Sequence, residues 1–328
     1  MSLLAGHAMA TLDNAVPRWP LNALSPAGIR GRLSILIYHR VHQRPDPLFP
    51  EGIDAHRFDT QMSWLSSLFN ILPLAEAAER LKRGALPQRA AAVTFDDGYA
   101  DNAEVALPIL QRHGIPATFF ISSGFLDGGR MWNDSVIEAL RRAPGSELDL
   151  TGIDLDCHKI STPLARRTAA ETIIGQLKYL PPASRTAKVS ELQDVVGEAL
   201  PNDLMMRSVQ VKKLHDAGMA IGSHTTTHPI LTRLDTATAR SEIEVDRAAL
   251  EAIVNERVTL FAYPNGKPGE DYGPEHVAMV REAGFSAAVS TSWGAGRQNG
   301  DLFQLPRFTP WDVTKLGFAL RLGQNLLR

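Results

Sequence analysis

The sequence has one cysteine, little net charge and no long apolar run. Cys157, alone among 328 residues, can form neither an intramolecular disulfide nor a cysteine-rich zinc site. The formal net charge of −2 lacks the basic excess with which proteins bind nucleic-acid phosphates. No stretch approaches the ~20 apolar residues of a membrane-spanning helix. We therefore expect a globular protein with neither a nucleic-acid partner nor a transmembrane segment, in which Asp and His are the available metal ligands.

The N-terminus does not have the pattern of a secretion signal. Its short apolar stretch at 1–10 is interrupted by Gly6 and His7, and no basic segment precedes it. The sequence therefore predicts a cytoplasmic protein. The alternative is that an unusual N-terminus places the protein near the cell envelope.

Apolar, β-rich segments alternate with helical patterns along most of the chain. Such strands are typical of a parallel sheet that is buried on both faces, and six or more strand–helix units favour a closed barrel. We predict strands at 33–38, 91–95, 117–121, 219–223, 258–262 and 286–290, and helices at 102–113, 236–254 and 272–284. The fold class is therefore α/β, a (β/α) barrel.

Three segments lie outside this pattern. Residues 1–30 contain three prolines and no sustained period, which predicts an extended or loosely docked arm before a barrel at 31–311. An insertion at about 130–207, with a helix from Trp132, a hairpin at 148–160 and two further helices, is expected to cap the barrel mouth. A C-terminal helix at 312–328 is predicted to dock on the barrel through an apolar stripe, with peripheral membrane contact as the alternative; the stripe comprises Leu316, Ala319, Leu320, Gly323 and Leu327.

Two adjacent carboxylates follow a predicted strand directly. In the motif Thr-Phe-Asp-Asp-Gly at 94–98, Asp96 and Asp97 stand where a barrel places catalytic residues. Like charges this close raise one pKa unless a cation intervenes, which suggests a metal on one and proton transfer by the other. The alternative is an ordinary Asp-Asp-Gly turn.

Two histidines follow another predicted strand. The motif His-x3-His-Pro at 224–229 brings His224 and His228 to one metal if the residues between them form a helical turn. Together with Asp97 they would supply three ligands and an open position, at which bound water is acidified to a pKa of about 7. Two ordinary surface histidines are the alternative.

The two motifs in this order resemble the polysaccharide deacetylases of carbohydrate esterase family 4, which share the NodB homology domain. The resemblance runs from about Leu33 to Phe308. It implies a deformed (β/α) barrel that removes N-acetyl groups from amino sugars with a divalent metal. It also implies that Asp96 is the general base and that Asp97, His224 and His228 bind the metal. Zinc suits this ligand set best, although nickel, cobalt, iron or manganese fit the same geometry.

Two features of the commonest family pattern are missing. The segment 260–266 lacks the Arg of an Arg-x-x-Tyr/Phe-x-Pro motif, and no histidine follows His276. Tyr-His at 38–39 resembles the branch of exopolysaccharide and poly-N-acetylglucosamine deacetylases, in which the acid histidine comes first. We therefore predict that His39 is the general acid and that Arg307 orients Asp96 through a bidentate pair. A capping histidine and a surface arginine are the alternatives.

Five further residues are predicted to bind substrate. The resemblance places the backbone N–H of Tyr263 at the oxyanion, next to Pro264. Tyr99 is expected to line the barrel mouth, and Trp132 and Trp293 suit stacking on sugar rings. Ordinary packing is the alternative for these aromatic side chains.

The function predicted from the sequence is metal-dependent N-deacetylation of an amino sugar in an exopolysaccharide, a lipopolysaccharide or a glycan precursor, with metal-activated water as the nucleophile. One alternative is a hydrolase of another small amide. The other is a catalytically inactive barrel that binds glycan. The sequence does not indicate the substrate's identity or the oligomeric state.

Overall fold

The computed structural model describes residues 17–328. Its strands are β1 (Leu33–Tyr38), β2 (Asn70–Ile71), β3 (Ala90–Phe95), β4 (Ala117–Ile121), β5 (Glu147–Asp149), β6 (Cys157–Lys159), β7 (Ala220–Ser223), β8 (Leu260–Ala262) and β9 (Ala287–Val289). The helices are α1 (Trp19–Leu24), α2 (Ala55–Leu68), α3 (Leu74–Lys82), α4 (Leu107–His113), α5 (Trp132–Arg142), α6 (Pro163–Leu177), α7 (Pro182–Val196), α8 (Ser208–Asp216), α9 (Thr236–Val254), α10 (Pro274–Glu282) and α11 (Lys315–Leu327).

A parallel sheet forms the barrel wall. Its strands lie in the order β1-β3-β4-β7-β8-β9, with β2 also paired to β3. Every residue of β1, β3 and β4 is buried, as expected for strands covered on both faces. The six predicted strands all occur, within two residues of the predicted limits.

The segment 305–308 closes the sheet into a barrel. The backbone N–H of Leu305 donates to the carbonyl of Ala288 in β9 at 2.9 Å, and the N–H of Phe308 donates to the carbonyl of Ile35 in β1 at 2.9 Å. The segment therefore lies between the two edge strands and bonds to both. This arrangement confirms the predicted (β/α) barrel.

The insertion has a hydrophobic core of its own. Helices α5, α6 and α7 pack together, and β5 and β6 form the antiparallel hairpin expected at 148–160. The shared core includes the fully buried side chains of Val136, Leu140, Ile173 and Leu192. The insertion is thus a helical unit that packs largely on itself beside the barrel mouth.

Both ends of the described chain differ from the prediction. Within the predicted arm, Trp19–Leu24 is helical and its Leu21 is buried; the predictions for residues 1–16, including the signal-peptide prediction, lie outside the described residues. Helices α2 and α3 were not predicted.

The C-terminal helix α11 docks through another face than the one predicted. Phe318 and Leu322 are fully buried, whereas Leu320 of the predicted stripe is 59% exposed. Apolar residues recur on two faces of this helix, so that periodicity alone did not identify the buried one. No helix within residues 17–328 is long and apolar enough to cross a membrane.

Candidate active site

A strained turn after β3 sets the positions of the two adjacent aspartates. Asp97 has a backbone φ of 80° and Gly98 one of 92°, both in the left-handed region. A β-carbon at Gly98 would lie 2.9 Å from Cγ2 of Ile121, so only glycine fits there. The turn orients both carboxylates toward the barrel mouth.

Asp96 is held by a bidentate ion pair. Its two oxygens accept hydrogen bonds from Nη1 and Nη2 of Arg307 at 2.6 and 2.7 Å, and both side chains are almost completely buried. The Nε of Arg307 donates to the carbonyl of Ser290. Burial raises the pKa of Asp96, but the charges of Arg307 and His224 outweigh it and keep the pKa below its ordinary value. Asp96 is therefore an ionised, oriented proton acceptor.

Asp97 and the two histidines converge on one point. Oδ1 of Asp97 lies 3.5 Å from Nε2 of His224 and 3.5 Å from Nε2 of His228. The three candidate ligand atoms are all within 4.8 Å of one another. Oδ1 of Asp97 is buried and has no hydrogen-bond partner, an arrangement that costs free energy unless a cation satisfies the oxygen. One carboxylate and two imidazoles fit a divalent transition metal.

The two histidines are held at the site in different ways. Burial lowers the pKa of His224, but the charges of Asp96 and Asp97 outweigh it and raise that pKa above its ordinary value. Nδ1–H of His224 donates to the carbonyl of Ala262 at 2.7 Å, which directs the lone pair of Nε2 toward the site. Burial lowers the pKa of His228 to about 4, since it outweighs the charge of Asp97. The predicted helical turn is not formed. Instead, left-handed conformations of Thr225 (φ 64°) and His228 (φ 51°) bend a loop that places both rings at the site.

Asp246 of α9 supports this loop and was missed by the sequence analysis. Its buried carboxylate accepts hydrogen bonds from the N–H of Ser123 at 2.7 Å, the hydroxyl of Ser223 at 2.6 Å and the N–H of His224 at 3.1 Å. The sequence did contain a signal for this role, because Asp246 lies on the apolar stripe of the helix. It stands three residues after Ile243 and four before Leu250.

His39 stands at the end of β1, on the wall of a cavity of about 300 Å³. Its side chain is exposed, and its carbonyl accepts a hydrogen bond from Nδ2 of Asn102 at 2.8 Å. A positive charge on His39 contributes to lowering the pKa values of Asp96 and Asp97, which places it in electrostatic range of both. The structure thus brings His39 to the same barrel mouth.

Tyr99 and Asp134 line the same cavity. The hydroxyl of Tyr99 donates to the carboxyl of Asp134 at 3.1 Å. Burial raises the pKa of Asp134 to about 7, against the opposing charge of Arg40. The sequence analysis anticipated Tyr99 in the mouth but not its acidic partner.

A second cavity, of about 180 Å³, adjoins the presumptive metal ligands. Asp97, His228 and Asn265 line its barrel side, and Trp132 lies on its insertion side. Asn133 borders both cavities, so they are neighbouring parts of one cleft. Trp132 is therefore near the site, as predicted from the sequence.

The structure contradicts the prediction for Tyr263. Its backbone N–H donates to the carbonyl of Val289 at 3.2 Å and is already used within the sheet. Its fully buried ring stacks on Tyr272 with a centroid distance of 3.7 Å, so it does not face either cavity. Pro264 is buried and has no N–H. The next N–H belongs to Asn265, which does line the metal-side cavity.

Trp293 is not brought to the metal site. It lines a third cavity with Arg307, Thr309 and Trp311, which meets the His39 cavity at Thr309 but contains none of the candidate metal ligands. The guanidinium of Arg328 lies 3.9 Å from the ring centroid of Trp293. Its chain position after β9 did not distinguish this location from the barrel mouth.

Comparison with known proteins gives consistent matches. The model of the polysaccharide deacetylase family matches residues 83–179 and 187–288, more than half of the chain. The Bacillus subtilis protein YxkH, whose name includes the term polysaccharide deacetylase, is 20% identical over 278 residues, 84% of this chain and 70% of that protein. Poly-β-1,6-N-acetyl-D-glucosamine N-deacetylase of Staphylococcus aureus is 37% identical over 74 residues, 22% of this chain and 26% of that protein. The structure of IcaB from Ammonifex degensii is similar in fold, with a TM-score of 0.58 and 19% identity over 93% of this chain and 99% of that chain.

Proposed function

The chain belongs to the polysaccharide deacetylase family and is a hydrolase of non-peptide carbon–nitrogen bonds, and from this premise we propose a metal-dependent mechanism that uses Asp96 and His39. The observation that carries the proposal is the unpartnered Oδ1 of Asp97 facing two imidazole nitrogens, directly beside the Asp96–Arg307 pair. This set matches what amide hydrolysis requires: a cation site, a proton acceptor and a nearby proton donor.

Asp97, His224 and His228 would hold one divalent cation, for which zinc is the first choice. A cation bound there acidifies water and polarises the carbonyl of the N-acetyl group. The hydrogen bond from His224 to Ala262 orients the ring of His224, and the lowered pKa of the partly buried His228 favours its neutral form, which can bind the cation.

The chain's own residues divide the proton transfers between them. Asp96, ionised and oriented by Arg307, accepts the proton of the attacking water. His39, which follows β1 next to β3, donates a proton to the leaving amine. After β8, the backbone N–H of Asn265 is the first that is not used in the hydrogen bonds of the sheet. It would stabilise the oxyanion that develops on the amide carbonyl oxygen. Acetate and a free amino sugar are the products.

The family implies an N-acetylated glycan as substrate. An exopolysaccharide is our first choice, since one relative is named for deacetylation of poly-β-1,6-N-acetyl-D-glucosamine; a lipopolysaccharide or a cytoplasmic glycan precursor is the second. The complete set of charged groups at the mouth argues against an inactive glycan-binding barrel. It also argues against a metal-free hydrolase of small amides.

The test is acetate release from chitooligosaccharides, poly-N-acetylglucosamine, a nucleotide-linked N-acetyl sugar and lipopolysaccharide. Asp97→Ala should abolish stoichiometric zinc in elemental analysis, whereas Asp216→Ala on the surface should retain it. His39→Ala should lower kcat by about 100-fold or more, the usual contribution of an acid–base residue, and His56→Ala on α2 should not. Metal content that is unchanged in Asp97→Ala would refute the metal site. Full activity of His39→Ala would refute the acid.

A further inference from the structure

The cavity beside the metal ligands has two cations on its insertion side. Lys178, which follows α6, and Arg185 in the first turn of α7 line it together with Trp132, opposite Asp97 and His228. The barrel thus provides the presumptive metal ligands, and the insertion provides positive charge across the same space.

These two cations have no carboxylate partner. Among residues 17–328 neither Lys178 nor Arg185 forms an ion pair, and Nε of Arg185 is buried with no hydrogen-bond partner. The guanidinium of Arg185 lies 4.8 Å from the ring centroid of Trp132, and its Nη1 donates to the carbonyl of Lys178 at 3.3 Å. These contacts fix the group in place but leave its charge unbalanced. A partly buried, fixed cation without a counter-charge is costly unless a ligand supplies one.

The cavity beside His39 is different. There, Arg40 pairs with Asp101 at 2.8 Å, and Arg141 pairs with Asp46 at 2.7 Å and with Glu138 at 2.9 Å. Its cations are neutralised within the protein. The unbalanced positive charge is therefore specific to the metal-side cavity, and it increases when a divalent cation neutralises Asp97.

We propose that the cavity lined by Lys178 and Arg185 is a subsite for an anionic group, a phosphate or a carboxylate, carried by the glycan next to the N-acetyl sugar. This inference rests on the proposed deacetylase function and specifies its substrate class. Arginine and lysine together suit such oxygens, the guanidinium by its planar fork and the ammonium as a point charge. The guanidinium of Arg185 stacks on the ring of Trp132, which holds the guanidinium in position.

The experiment compares anionic N-acetyl sugars with matched neutral ones. N-acetylglucosamine 1-phosphate is paired with methyl N-acetylglucosaminide, and a hyaluronan tetrasaccharide, which carries carboxylates, is paired with chitotetraose. In the wild-type holoenzyme we expect KM to be at least about tenfold lower for one anionic member than for its neutral partner, as for a charge-assisted contact. The pair that shows this difference identifies phosphate or carboxylate as the group.

The double variant Lys178→Gln/Arg185→Gln should remove this preference while leaving kcat on the neutral substrates within about twofold. Lys159→Gln, which removes a charge from the exposed hairpin strand β6, is the matched control. Rates on neutral substrates show that the variant is folded. Equal KM values for charged and neutral members of both pairs, or a preference that survives the double substitution, would overturn the subsite.

The two proposals fail differently. If none of the four compounds releases acetate, the deacetylase proposal loses support, and the unconsumed compounds can be titrated calorimetrically into wild type and double variant. Tighter binding of an anionic compound that is lost in the double variant would still support the subsite. Binding that is equal for all four compounds would overturn it.

Discussion

The barrel mouth and the insertion use charge in opposite ways. At the mouth, Asp96 is bound to Arg307 through two hydrogen bonds, and Asp97 faces two imidazoles. In the insertion, Lys178 and Arg185 face the cleft without acidic partners. In the proposals made above, the barrel holds a fixed reaction geometry and the insertion meets a variable part of the substrate. The difference suggests that chemistry and specificity can be altered separately.

The largest loss of stability and activity is expected when Asp96 at the barrel mouth loses the counter-charge of Arg307. Arg307→Leu leaves the Asp96 carboxylate buried and unpaired, which should lower the free energy of unfolding by about 3–5 kcal/mol and abolish acetate release. Chemical denaturation and an acetate assay measure both. Arg321→Leu breaks a more exposed pair with Asp312 and should cost about 1 kcal/mol or less. Comparable losses in the two variants would contradict the special role of the buried pair.

A core substitution in the insertion should separate the two regions. Leu192 is fully buried in the insertion's core, so Leu192→Ala should destabilise it by about 2–5 kcal/mol. Hydrogen exchange should rise in α5, α6 and α7 before it rises in β1 and β3, and zinc affinity should not change. Val195→Ala on the exposed face of α7 is the control. If zinc affinity fell together with protection of the insertion, the two regions would be one cooperative unit.

The smallest effect concerns Asp134, where the insertion meets the mouth. Its pKa of about 7 in the folded protein lies above the ordinary 3.8, so the folded state retains this proton to a higher pH than the unfolded state does. The contribution of the protonated Asp134 to the free energy of unfolding is complete below about pH 4 and is lost as the pH rises through 7. Asp134→Asn should therefore raise the free energy of unfolding by about 1–2 kcal/mol at pH 5, by more at pH 8, and have little effect near pH 4.

Denaturation of both proteins across this pH range tests the prediction. The other charged or titratable groups near Asp134 are unchanged in the variant; they are Arg40, Asp97, Tyr99, Arg130 and Glu138. A constant difference between the variant and wild type from pH 4 to 8 would show that Asp134 does not carry this titration.

Periodicity predicted the framework well because strongly patterned segments depend little on context. Helix α9 has the predicted limits, and the strands that end directly before Asp96 and His224 place both motifs at one end of the barrel. Features set by tertiary contacts were less predictable. The N–H of Tyr263 continues the sheet ladder by one residue, which moves the free N–H to Asn265. A sequence motif does not show where the hydrogen-bond ladder of a sheet ends. An apolar stripe does not show which face of α11 packs on the barrel.

The segment that closes the barrel has a consequence for biosynthesis. It carries Arg307, which reaches Asp96 across 211 positions of sequence. During translation the Asp96 carboxylate leaves the ribosome long before its counter-charge does, and the gap between β9 and β1 cannot close until residues 305–308 follow. The arrival of this segment therefore completes the wall and supplies the counter-charge that the buried Asp96 carboxylate needs, so a chain that ends before 305 would have neither.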